Sequence, residues 1–474
     1  MRRPKTFVSS TRLASETRST TSNANCVTSA KTSNIGPRWL PPGRHPADRA
    51  ILALGVPALG ALAADPLYSL IDTAFVGNLG AEELGAVAVG TAAFTASFWL
   101  FSFLAYGVTP RVARFVGAND DRNAARIGVQ ALLMALVLGL GVTILGVVFA
   151  GPIVRLLGAG PDIQGLAESY LRIRVLSATA VLVAQVGHGW LRGAQNTKTP
   201  MYIAVGGALL NVGLDYVLIY SVGMGVQGAA WATVAGQYLV AGAFLLMLVP
   251  HFTRTGASWR LEREVASGLL RIGADLVVRT GALLGAMTLA TSVAARMSLD
   301  VLGAWQITMQ LFLFLSLVLD SVAIAAQALV GKHLGAGSRT EAREVTVRLM
   351  EWGLLIGVVV ALVLYLGRSE LASAFSNDPT VVASAASLIA WLAVVQPLSA
   401  LAFTLDGILI GASDTRYLAK SMLLSSLAYA AVSLLALNLD WGATGLATGA
   451  TLWLALRTST TAWRWRGDRW TLTA

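Results

Sequence analysis

Residues 51–80 read ILALGVPALGALAADPLYSLIDTAFVGNLG. The stretch is apolar over more than the roughly 20 residues that a helix needs to cross a bilayer. Its second half nevertheless carries Asp65, Pro66 and Asp72. A carboxylate near mid-bilayer costs roughly 3 kcal/mol on insertion scales, so it turns toward a partner or a wet cavity rather than lipid. Pro66 removes a backbone donor at the same place and invites a bend. A bendable first helix with two carboxylates in its outer half is a poor anchor and a good piece of a transport pathway.

The rest of the chain fits that environment. Of its 474 residues 55% are hydrophobic and only 13% charged, with a mean hydropathy of +0.66. Soluble domains carry about 25% charge. Apolar segments recur near 51–76, 84–109, 127–150, 168–191, 200–220, 228–250, 271–296, 303–331, 345–367, 381–410, 418–437 and 443–461. The expectation is an all-α polytopic membrane protein with 12 transmembrane helices and short loops. Lys and Arg gather in the N-terminal stretch, in the loops after every second segment and at the C-terminus. The opposite side shows only Arg155, Arg172, Arg174, Arg296 and Arg368. By the positive-inside rule both termini are cytoplasmic, which an even number of spans requires.

The net charge of +10 is spread over loops rather than gathered on one face, so no nucleic-acid partner is expected. The single cysteine, Cys26, excludes an internal disulfide framework. Residues 1–46 are rich in Ser, Thr, Asn and Arg, poor in acids and without the apolar run of a secretory signal. That composition suits a transit peptide, a mis-assigned start or a disordered tail. It is read as a disordered polar tail outside the fold.

An internal repeat divides the remainder. Leu84-Gly85-Ala86 returns as Leu302-Gly303-Ala304, Gly117-Ala118 as Gly335-Ala336, and Gly193-Ala194-x-x-Thr197 as Gly411-Ala412-x-x-Thr415, all 218 residues on. Gly225-x-x-Gly228 returns as Gly442-x-x-Gly445 at 217. The boundaries expected are an N-lobe of six helices over 47–250, a cytoplasmic loop over 251–270, a C-lobe of six helices over 271–462 and a basic tail over 463–474. Six is even, so the repeats are parallel, arranged around a central cleft with the site between or inside them.

Charges inside the apolar segments supply candidate chemistry. Asn211 and Asp215 stand four apart and share a helix face. Asp215 lies roughly 22 Å above Pro200, and Asp72 roughly 31 Å above Ile51. Two carboxylates that share one pocket cannot both stay charged and unpartnered, and with an amide oxygen beside them the set suits H+ or Na+. Thr233 can add a hydroxyl. The alternative is that Asp72 caps a helix end and Asp215 is a satisfied core acid. In the second half Arg279 and Asp320 lie at similar depth, roughly 12 and 17 Å from the inner ends of their helices, and are expected to form an ion pair. Asp406 is a second candidate partner, and a purely structural role for the pair stays open. His188, Gln185, Gln327 and the aromatics Trp99, Phe101, Phe103, Phe312 and Phe314 read as packing. No Walker A loop, metal spacing or nucleophile elbow is present, so neither an enzyme nor a cofactor is expected.

From Asp65-Pro66 through Gly80, and in WLRGAQNTKTPMYIAVGGALLNVGLD, LDSVAIAAQALVGKHLGAG and DGILIGASDTRYLAKS, the chain resembles the multidrug and toxic compound extrusion (MATE) family. It is most similar to the DinF branch, over residues 50–460. The resemblance implies two six-helix bundles across a cleft and export of organic, often cationic, compounds in exchange for H+ or Na+. It implies a coupling-cation site at Asp72, Asn211, Asp215 and Thr233, and helix-1 bending at Pro57 beside Asp65 and Pro66. The C-lobe acidic pair of the Na+-coupled branch is not matched, since Leu283 stands where its glutamate belongs, which favours H+. The resulting expectation is a monomeric secondary antiporter of small organic substrates in the plasma (inner) membrane. A lipid-linked saccharide flippase and a non-transporting scaffold or receptor are the alternatives.

Overall fold

A computed structural model of the protein describes residues 45–99, 101 and 103–472. The expected tail, with Cys26, lies almost wholly outside these residues, as does the Trp99 side chain. Among them the chain is helical, without strands. The first half holds α1 (Pro46–Gly77), α2 (Ala81–Trp99), α3 (Phe103–Gly117), α4 (Asp121–Leu156), α5 (Pro161–Arg174), α6 (Ala178–Gly193), α7 (Lys198–Tyr216) and α8 (Gly225–Arg254). The second holds α9 (Arg263–Met297), α10 (Leu299–Gly335), α11 (Arg339–Leu366), α12 (Arg368–Phe375), α13 (Pro379–Gly411), α14 (Thr415–Asn438) and α15 (Gly442–Arg466).

The repeat is written into the element boundaries. α2 and α10 begin at 81 and 299, α4 and α11 at 121 and 339, and α5 and α13 at 161 and 379. Left-handed turn residues recur likewise: Asn119 (φ 57°) with Gly337 (75°), and Gln195 (63°) with Ser413 (60°). Close approaches recur too. A Cβ on Gly193 would lie 2.7 Å from the Thr109 carbonyl oxygen, and one on Gly411 2.9 Å from that of Gln327. Each equivalent pair is 218 residues apart, so the sequence repeat is a repeat of turn geometry and helix crossing.

The halves meet by the same symmetry. Gly117 lies on the Lys332 carbonyl, and its equivalent Gly335 on that of Arg114, the equivalent of Lys332. Such reciprocal contact is the mark of a two-fold relation. It brings α3 and α10 together at the end carrying the basic loops. Asp48 reinforces that end: it accepts from Arg348 Nε at 2.6 Å, Arg348 Nη2 at 3.0 Å and Trp352 Nε1 at 2.9 Å across the halves. Asp48 also closes the capping box of α1 by accepting from the His45 backbone at 3.1 Å.

One apolar core, from Ile51 to Trp470, is shared by both halves at the basic-loop end. Toward the other end the cores are separate. One is built only from residues 286–454, and two others from residues 76–230. The two repeats are thus joined at one end and parted at the other, around a central cleft. On the outside, Leu136, Leu140, Ile144 and Val148 of α4 are exposed at helical spacing, a face for acyl chains.

Ten described helices are long and apolar enough to cross a membrane, counting Pro161–Gly193 and Lys198–Ser221 as single spans. The second expected segment runs through residues 100 and 102, which are not described, and α15 with its many threonines is not among the ten. At the C-terminus, residues expected in a tail continue α15 to Arg466, and Trp470 is fully buried.

Candidate functional site

α1 packs on α7 and α7 on α8, which brings three candidate segments together. Asp215 is fully buried, and Asp72, Asn211 and Thr233 are each at most 9% exposed. The two carboxylates lie within Coulombic reach of each other, and the buried Tyr170 of α5 is within reach of both. Asp72 Oδ1, Asn211 Oδ1 and both Asp215 carboxyl oxygens are buried with no hydrogen-bond partner among the described residues. Native interiors rarely leave such atoms unsatisfied, and a buried carboxylate so placed gains by taking up a proton or a cation. Thr233 Oγ1 donates to the Ala229 carbonyl at 2.9 Å, which leaves its lone pairs free. Gly236 admits the Asn211 amide: a Cβ there would lie 3.3 Å from Nδ2. Just past Asp215 the backbone widens into a π turn over Val217–Ser221, a distortion frequent at functional sites.

Arg174, read above as a residue of the side opposite the basic loops, is instead buried at the end of α5. Its guanidinium sits 4.0 Å from the centre of the Phe94 ring and donates to Ser177 Oγ at 2.5 Å. It is within Coulombic reach of Asp65 and Asp72. Its place six residues inside an apolar segment was the available signal. Asp65 is solvent-accessible and also faces Arg192 electrostatically.

α1 runs as one unbroken helix through Pro57 and Pro66. Proline has no N–H, so Pro57 cannot donate to the Ala53 carbonyl one turn back. Thr197, buried in the α6–α7 turn, supplies the donor: its Oγ1 lies 3.2 Å from that oxygen. The sequence reading had no role for Thr197 beyond the repeat.

In the second half the expected Arg279–Asp320 pair does not form. Arg279 pairs with Asp406, and so does Arg457 of α15, which was not singled out above. Equal rise along a helix fixes height only; which way each helix turns its side chains selected Asp406. Arg457 is buried, with its guanidinium 5.0 Å from the Phe403 ring centre and 5.5 Å from that of Trp453. Asp320 makes no ion pair among the described residues, yet it feels Arg279, Arg457 and Arg192 and acts on Tyr106 of α3. His188 packs on Phe244, ring centres 4.9 Å apart. No group of three or more His, Cys, Asp or Glu able to hold a metal occurs among the described residues.

Two membrane-embedded repeats around a cleft, with buried acids in both and unpartnered ones in the first, define a membrane transporter. The MatE family model matches residues 57–217 and 282–435, two stretches whose ends lie 218 apart, and the chain belongs to the MATE family. It is 36% identical over 440 residues to the chloroplastic protein DETOXIFICATION 44 of Arabidopsis thaliana, covering 89% of this chain and 83% of the relative. It is 30% identical over 432 residues to the DNA damage-inducible protein F of Escherichia coli K12, covering 89% and 94%. The fold superposes on an outward-facing multidrug resistance MATE transporter with a TM-score of 0.82 at 21% identity, covering 90% and 96%. Transporters of this family need no cofactor.

Proposed function

We propose that the protein is a secondary antiporter that exports small organic, often cationic, compounds in exchange for H+, or Na+, by alternating access. The observation that carries the reading is the set of four unpartnered oxygens on Asp72, Asn211 and Asp215, buried in one neighbourhood of the first half. Proton uptake there neutralises the pair, and α1 deflects at Pro57 and Pro66. The loss of charge and volume on that side of the cleft then releases cargo. An ion that binds one state better than the other shifts the equilibrium between them by that difference.

Twelve spans in two lobes of six, both termini cytoplasmic, a monomeric state and the plasma membrane complete the proposal. The charge asymmetry of the loops supports the orientation. A plastid membrane is a second reading for location. The Arg-, Ser- and Thr-rich, acid-poor N-terminal stretch and the chloroplastic relative favour it. Against a flippase of anionic saccharide carriers stands the charge balance: Asp65, Asp72, Asp215, Asp320 and Asp406 offset Arg174, Arg192, Arg279 and Arg457.

The test is efflux of a fluorescent organic cation from proteoliposomes, first under an imposed pH gradient and then under a Na+ gradient. One gradient is expected to drive efflux, and Asp72→Asn to abolish it in a folded protein. Efflux indifferent to both gradients, or unchanged in Asp72→Asn, overturns the reading.

A further inference from the structure

At the closed end the halves leave a cavity of about 1500 Å3 between α3 and α4 on one side and α9, α14 and the end of α15 on the other. Six arginines and one lysine line it, against three acids. Asp414 takes Arg464 at 2.6 Å, and Asp275 accepts from Thr415 Oγ1 at 2.9 Å. Arg126 is paired with Glu262 in the loop that leads into α9. Arg111, Arg114, Arg271, Arg416 and Lys420 remain without an ion pair among the described residues, and the acids left to face them are Glu264 and Asp275, whose hydrogen bond from Thr415 leaves its charge in place. The Arg111 guanidinium lies over Gly268 of α9, where a Cβ would meet its Nη2 at 2.8 Å. Arg114 donates from Nη2 to the Ala412 carbonyl at 2.7 Å, while its Nε is buried and unpartnered. The two guanidiniums are within Coulombic reach of each other. Like charges gathered in a half-buried place repel, and an anion among them reverses the sign of that interaction.

We propose that this cavity binds a phosphate-bearing anion, which bridges Arg111 and Arg114 of the first half to Arg271, Arg416 and Lys420 of the second. Guanidinium forks match phosphate oxygens bidentately. Two carboxylates leave the five cations in excess, a polyanion offsets that excess, and the volume admits a diphosphate. Held there, the anion ties the halves together where they already touch, so it favours this conformer over one open at the basic end. Its source is a soluble diphosphate or the headgroup of an anionic phospholipid, since the basic loops lie at the height of a bilayer surface.

The experiment uses the full-length protein in phosphatidylcholine nanodiscs, with the thermal unfolding midpoint as readout. Added inorganic pyrophosphate raises the midpoint if the source is soluble; exchange of part of the lipid for phosphatidylglycerol raises it if the source is a headgroup. Arg111→Gln combined with Arg416→Gln is expected to weaken either response about tenfold or more. Arg122→Gln, at an exposed arginine outside the cavity, leaves the response intact. Should the double variant not fold, Lys420→Gln, at an exposed position, takes its place. No response to either anion overturns the proposal. A response undiminished in the cavity variants, or equally diminished by Arg122→Gln, overturns it as well.

Discussion

Asp215 and Asp406 are both buried aspartates on membrane helices, one in each half, and they are kept in opposite ways. Asp406 is gripped by two guanidiniums, one of them further held against Phe403 and Trp453. Asp215 has neither carboxyl oxygen satisfied, and its charged neighbour within reach is another acid. Duplicated halves with matching turns and crossings therefore carry unlike chemistry. A carboxylate already neutralised by arginine has little reason to exchange ions, whereas one held beside a second carboxylate gains from any proton or cation that enters. On the proposed reading, the difference separates a strut from a loadable site.

Substitutions can break this contrast. Asp406→Ala leaves Arg279 and Arg457 without their ion-pair partner, with only the more distant charge of Asp320 to face them, and is expected to cost about 3–5 kcal/mol of stability, measured as a fall in the unfolding midpoint in detergent. Asp215→Asn is expected to leave that midpoint unchanged or raise it, and an equal fall in both variants would erase the distinction. Asp72→Asn is expected to lower gradient-driven efflux roughly 100-fold, toward the upper end of ordinary coupling energies, in vesicles holding equal amounts of folded protein. Arg457→Lys keeps the charge and loses the planar stack; a destabilisation of about 1–2 kcal/mol is expected. The smallest effect belongs to Thr197→Val, which removes the donor to the Ala53 carbonyl and is expected to cost about 1 kcal/mol. In a Pro57→Ala background residue 57 supplies its own N–H, so the same change becomes nearly neutral. A double-mutant cycle without that coupling would show that Thr197 does not serve the proline.

Much of this architecture is legible in the residue order. Gly117, Gly193 and their equivalents recur because turns and close crossings admit little else, so the duplication can be read by eye. Asp72, Asn211 and Asp215 stand out because polarity inside an apolar run is rare. The partners of the second-half charges are less readable. Arg457 stands beside a threonine-rich stretch whose polarity dulls the contrast of a charge. Arg279 and Asp320 share a depth, but the direction in which each helix presents its side chain depends on packing that no spacing along one helix reveals. Thr197 illustrates a third limit: its partner is a carbonyl orphaned by a proline 140 residues earlier.

The Asp48 contacts have a mechanical consequence. They root the first helix of one half in α11 of the other, through Arg348 and Trp352. A beam clamped at one end passes force along its length, and here Asp72 lies 24 residues beyond the clamp with two prolines in between. In the antiport proposed above, a load on the acid pair would therefore act on a lever anchored in the opposite half, and the clamp would let an event in one bundle be felt by its twin.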